Sequence, residues 1–114
     1  MKFLIYRYNP ETDKKPFMQE FVLQDVQPGM MLRDALLALK EQDESLVFRH
    51  SCGEGVCGAC TVLVNDAAVL ACQRTVKEVA GSEITTIEGL AQNGTLHPLQ
   101  EAFIRHAGFQ CGYC

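Results

Sequence analysis

The feature that most restricts this chain is a ten-residue run, Ser51-Cys52-Gly53-Glu54-Gly55-Val56-Cys57-Gly58-Ala59-Cys60, which holds three cysteines and three glycines. Glycine at that density disfavours both helix and strand, because each glycine has more backbone freedom to lose than any other residue. The run is therefore a specialised loop whose two ends the rest of the fold must hold. With Cys72 the thiols read C-x4-C-x2-C-x11-C, and a further C-x2-C pair, Cys111 and Cys114, lies at the end of the sequence. Six cysteines in 114 residues is about 5%, below the ~8–10% that marks a disulfide scaffold. A chain of this length that is 47% hydrophobic buries a core without staples. The thiols are then present for chemistry rather than bulk stability, and clustered thiols in a reducing compartment more often bind metal than each other.

Cys52, Cys57 and Cys60 match the C-x4-C-x2-C spacing of plant-type [2Fe–2S] sites, whose fourth ligand is more distant. A single loop must wrap such a group closely enough for two or three thiolates to reach it, while the fourth, Cys72, arrives from a separate strand. Gly53, Gly55 and Gly58 allow the wrapping, since without Cβ atoms they take positive φ and bring backbone N–H groups towards sulfur. The same four thiolates could hold a structural zinc ion tetrahedrally. Zinc ribbons, however, pair two knuckles of similar length, whereas here three ligands share one loop. The reading is one [2Fe–2S] cluster on Cys52, Cys57, Cys60 and Cys72, with a four-cysteine zinc site in a structural or interaction module as the alternative. Cys111 and Cys114 cannot close a site by themselves; they are spectators, or half of a second metal site completed by another chain. Arg49 and His50 flank the loop as surface residues, Arg49 with a charge that could tune the cluster. His97 and His106 border a helix and are expected to be solvated.

The charge balance, 10 Lys plus Arg against 14 Asp plus Glu for a net −4, and the lack of a basic run argue against a nucleic-acid partner. No apolar stretch approaches the ~20 residues that span a bilayer. Met1-Lys2 leads only into Phe3-Leu4-Ile5 and lacks the apolar region of a secretory leader, so a cytoplasmic location is expected, including the cytoplasmic face of a membrane complex. No nucleophile–base set, phosphate loop or dinucleotide fingerprint is present. Electron transfer is expected here, with catalysis left to a partner.

Along the chain, Lys2 to Tyr8 predicts a strand, Asn9-Pro10 to Pro16 a turn, and Phe17 to Leu23 a partner strand. Leu32, Ala35, Leu36 and Leu39 predict one face of a helix from Met31 to about Gln42. Leu46 to Phe48 predicts a short strand, and Thr61 to Val64 with Ala67 to Ala71 a hairpin ending at Cys72. Ile84 to Ile87 predicts a further strand and Gly89 to Gly94 a polar connection. A second helix is expected from Pro98, with Leu99, Ala102 and Phe103 on one face and Gly108 as its left-handed cap.

These residues carry two resemblances. Phe3 to Cys57, with Ile5-Tyr6-Arg7-Tyr8-Asn9-Pro10, Leu39-Lys40-Glu41-Gln42-Asp43 and Phe48-Arg49-His50-Ser51-Cys52, resembles the N-terminal domain of succinate dehydrogenase and fumarate reductase iron–sulfur subunits. From Cys57 onward, Cys57-Gly58-Ala59-Cys60-Thr61-Val62, Ile84-Thr85-Thr86-Ile87-Glu88-Gly89-Leu90, Leu96-His97-Pro98-Leu99 and Gln110-Cys111-Gly112-Tyr113-Cys114 are similar to the small iron–sulfur subunit of molybdenum hydroxylases of the xanthine and carbon-monoxide dehydrogenase type. The two meet inside the shared loop, so the chain reads as a mosaic, recombined or designed.

Both resemblances imply an α+β fold, a β-grasp, ferredoxin-like mixed sheet with one crossing helix, over residues 1–90. Residues 91–114 would then form a C-terminal helical extension ending in an incomplete ligand pair. They also imply a redox partner protein, or a subunit carrying flavin or molybdenum cofactor. In the molybdenum family, the positions of Cys111 and Cys114 ligate a second [2Fe–2S] cluster with a later C-x-C pair that these residues do not include. The further clusters through which succinate dehydrogenases pass electrons to quinone also have no cysteines here, so quinone reduction is not expected.

Overall fold

A computed structural model describes residues 1–9 and 11–112. Strand β1, Lys2–Arg7, alternates exposed and buried positions so that Phe3 and Ile5 face inward. It pairs antiparallel with β2, Phe17–Val22, in a register running from Lys2↔Val22 to Arg7↔Phe17. Helix α1, Leu32–Gln42, follows, and the leucine stripe read from the sequence is its buried face: Leu32, Ala35, Leu36 and Leu39 are at most 1% exposed. Against that face pack Phe3, Ile5, Leu46, Val62, Ala71 and Val76 in one core.

Strands β3, Thr61–Val64, β4, Ala67–Leu70, and β5, Ile84–Thr85, form the second sheet in the order β4-β3-β5. The turn between β3 and β4 is Asn65-Asp66, and both residues are left-handed, with φ of 48° and 66°. Positive φ at both central positions gives a two-residue turn whose twist matches that of the flanking strands. It fixes the register Thr61↔Leu70 through Val64↔Ala67. Helix α2, Pro98–His106, completes the α+β architecture.

Several expectations need correction. The ladders form two separate antiparallel sheets rather than one mixed sheet; β1 lies against β5, but β5 has only two residues before Thr86 turns away. Leu46 to Phe48 is not a strand, although Leu46 and Phe48 are buried in the core all the same. The second hairpin arm stops at Leu70, and Ala71–Gln73 forms a 3-10 turn that contains Cys72. Ile87–Leu90, read as strand end and loop, is a second 3-10 turn. The left-handed cap of α2 is Ala107, at φ 47°, and not Gly108, whose N–H reaches the Phe103 carbonyl. The apolar face of α2 is exposed, with Leu99 at 64% and Phe103 at 52%.

One buried cation ties these pieces together. Arg7 is 8% exposed and donates from Nη1 to Gln19 Oε1 at 2.8 Å and from Nη2 to Ser45 Oγ at 2.8 Å. Asp43 lies 3.4 Å from Nη1, and Glu88, on the second 3-10 turn, lies 3.8 Å from Nε. Burial pushes the Glu88 carboxyl up, against the lowering influence of Arg7. Removing one member of a buried ion pair strands the other charge. Arg7→Met should therefore cost about 3 kcal/mol in urea unfolding of the metal-free chain. Lys2→Met, which breaks the exposed Lys2–Glu20 pair at 3.1 Å, should cost under ~0.5 kcal/mol. Equal losses would contradict the assignment.

Candidate metal centre

The loop between Phe48 and β3 has no regular structure and is shaped by three left-handed glycines, Gly53, Gly55 and Gly58, at φ of 74°, 77° and 73°. Each reversal turns a main-chain N–H towards a thiol. Glu54 N–H donates to Cys52 Sγ at 3.3 Å, Cys57 N–H to the same sulfur at 3.4 Å, and Ala59 N–H to Cys57 Sγ at 3.4 Å. Such a concave set of donors stabilises negative charge on sulfur. The Cys52 thiol accordingly falls from 9.0 to about 6, through the N–H of Glu54 first and those of Cys57 and Val56 after it. Cys52 and Cys57 are both exposed.

Cys60 and Cys72 are held differently. Both lie at the core edge, 3% and 4% exposed, one directly before β3 and the other in the 3-10 turn after β4. Ala71 N–H donates to the Cys60 carbonyl at 3.1 Å, which extends the hairpin register by one step and sets the two thiols side by side. At the start of the strand, Thr61 N–H and Oγ1–H both donate to the Gly58 carbonyl, at 3.2 and 2.7 Å. Behind Cys72, Leu32 N–H donates to the Arg74 carbonyl at 2.7 Å and Val76 N–H to the Met30 carbonyl at 2.8 Å, binding this segment to α1. Burial pushes the Cys60 thiol up, and the neighbouring Cys72 and Ala71 N–H groups only partly offset it.

The structure thus arranges the four thiols as two pairs, Cys52 with Cys57 and Cys60 with Cys72. Among the described residues no group of three His, Cys, Asp or Glu side chains is placed to hold a single metal ion. A two-iron group needs a pair of protein thiolates at each iron, and the observed pairing with its amide donors fits that requirement. Cys111 is exposed and free; Cys114, its expected partner, lies outside the described residues, as do Pro10 and Tyr113. His50 stacks on Phe48 with ring centroids 6.2 Å apart. His97 is more than a solvated helix end, because its Nδ1 accepts the Leu99 N–H at 3.1 Å while Gln100 Oε1 accepts the His97 N–H at 2.9 Å.

Two side chains at this site have no signature in the sequence. A Cβ on Gly53 would collide with Arg33 Nη1, and one on Gly55 would meet the Gln73 side chain at 2.9 Å. Gln73 also points Nε2 towards Cys72, 3.1 Å from its carbonyl and 3.9 Å from its sulfur. Spacing gave no hint of either contact, since Arg33 reaches the loop from α1 and Gln73 from the far side of the hairpin.

The sequence model of the 2Fe-2S iron–sulfur cluster binding domain family matches residues 2–105. The chain is 52% identical over 77 residues to the aldehyde oxidoreductase iron–sulfur-binding subunit PaoA of Escherichia coli O157:H7, covering 68% of this chain and 34% of that protein. It is 48% identical over 81 residues to the succinate dehydrogenase iron–sulfur subunit of Coxiella burnetii, covering 69% of this chain and 34% of that protein. Among solved structures, quinoline 2-oxidoreductase from Pseudomonas putida 86 superposes with a TM-score of 0.63 at 33% identity, over 99% of this chain and 63% of that one. The chain therefore spans about a third of the length of these two curated relatives. Relatives of both expected kinds are present, and no described helix is long and apolar enough to cross a membrane.

The contrast between the two pairs is measurable on the metal-free chain. Alkylation by iodoacetamide, followed site by site by mass spectrometry as pH rises, should show Cys52 reacting with a midpoint near pH 6. Cys60 should react only above pH 9, the ordinary thiol value. Coincident profiles would mean that the loop amides do not act on Cys52.

Proposed function

The chain belongs to the 2Fe-2S iron–sulfur cluster binding domain family, and from that membership we propose that Cys52, Cys57, Cys60 and Cys72 hold the cluster in a one-electron carrier module of an oxidoreductase. The observation that carries this reading is the pairing of the thiols, one pair on an amide-lined loop and the other fixed to the core. When bound, the cluster takes up and releases a single electron. Cys60 and Cys72 anchor it through β3, β4 and α1, and screen its inner side from water. Cys52 and Cys57 present its outer side at the surface, and the N–H groups of Glu54, Cys57 and Ala59 hold negative charge on their sulfurs.

Residues 1–90 form the cluster module in this proposal, and residues 91–114 an extension whose bare α2 face packs on another part of the assembly. The names of the relatives support a place beside a catalytic subunit, and the resemblance to molybdenum hydroxylases favours flavin or molybdenum cofactor there. Free thiols in this number suit a reducing, cytoplasmic setting.

Anaerobic reconstitution tests the assignment. About two iron and two sulfide per chain are expected, with a spin-half EPR signal after dithionite reduction. Cys72→Ser should lose most of the iron while Cys111→Ser keeps it all. A wild-type chain that takes up zinc in preference, or a Cys72→Ser variant with full iron and sulfide, would overturn the ligand set.

A further inference from the structure

We propose that Arg33 sets how readily the cluster accepts its electron, by holding a guanidinium in the space that Gly53 leaves open directly after Cys52. This inference rests on the ligand assignment above. A Cβ at residue 53 would collide with Arg33 Nη1 and stand 3.0 Å from Cζ, so the guanidinium lies against the main chain of the cluster loop. Any side chain at residue 53 would displace it. Gly53 thus has two duties, its left-handed φ of 74° and the room it makes for a cation.

The cation is carried on a fixed stretch of backbone. Arg33 belongs to the first turn of α1, and its neighbour Leu32 is fully buried and bonded to the Arg74 carbonyl at 2.7 Å. The same helix therefore carries Arg33 and holds the Cys72 segment. The Arg33 side chain is 27% exposed, and its only described ion pair is with the Asp34 carboxylate, 3.2 Å from Nε and itself 47% exposed. Nε is buried, with no hydrogen bond among the described residues.

Reduction adds one electron, supplied by a partner or in the test by dithionite, to a group that is already anionic with its thiolates. A fixed positive charge one residue from a ligand stabilises the reduced form more than the oxidised form. Because the guanidinium is partly exposed, salt weakens this preference.

The experiment compares wild type, Arg33→Gln and Arg33→Lys as full chains reconstituted anaerobically with iron and sulfide. Metal content is measured first, and then the midpoint potential by dye-mediated dithionite titration at low and high salt. Iron and sulfide should be unchanged. Arg33→Gln should shift the equilibrium about tenfold towards the oxidised form, a potential lower by about 59 mV for one electron. Arg33→Lys should keep more than half of the effect, and the difference from wild type should shrink at high salt. A shift below about twofold in a fully loaded Arg33→Gln chain overturns the role of Arg33 and leaves the ligand assignment intact. A wild-type chain that holds no cluster overturns both. If Arg33→Gln cannot be loaded, Asp34→Asn decides: freeing the guanidinium of its counter-charge should move the equilibrium about threefold towards the reduced form, and an unmoved potential counts against the proposal.

Discussion

The bond from Leu32 N–H to the Arg74 carbonyl, with its companion from Val76 N–H to Met30, joins the first turn of α1 to the segment that follows Cys72. Everything at the metal centre depends on that joint. The 3-10 turn carrying Cys72 is only three residues long and would not hold a position by itself. Pinned to a helix whose inner face is completely buried, it takes on the rigidity of the core. The hairpin passes this rigidity on to Cys60, and the loop is then suspended between a fixed β3 and the buried Phe48.

The four thiols divide into a buried half and an exposed half. The buried Cys60 thiol resists ionisation until something stabilises it, whereas Cys52 is readied for a positive ligand by amides that point at it before anything binds. Such a division suits a site that must assemble and then barely move. Amides already in position need little reorganisation when charge arrives, which keeps electron exchange from waiting on the protein.

How much of this was legible in the sequence follows from the range of the forces involved. Local chemistry was readable: glycine density placed the loop, the spacing of Leu32, Leu36 and Leu39 placed the helix, and Asn65-Asp66 placed the turn. The failures occurred where tertiary context overrode local preference. Leu46 to Phe48 looks like a strand because it is apolar, yet its burial comes from packing under the helix without a neighbouring ladder. Ala107 takes the left-handed cap that Gly108 suits better, since the capping bond to Phe103 fixes where the helix ends. The Arg33 contact was invisible for a different reason, because it joins residues 33 and 53 through space and leaves no periodic trace.

The Asn65-Asp66 turn constrains how this protein can vary over time. The register this turn fixes sets Ala71 against Cys60 and Cys72 one residue further on, so a hairpin that gained or lost a single residue would shift Cys72 relative to Cys60 and break the pairing of the two thiols. Substitutions within β3 and β4 are tolerable wherever packing allows, but changes in length are not. Among descendants of this chain the interval between Cys60 and Cys72 should behave as a fixed ruler, while the stretch between β1 and β2, which holds none of the four thiols, is free to lengthen or shorten.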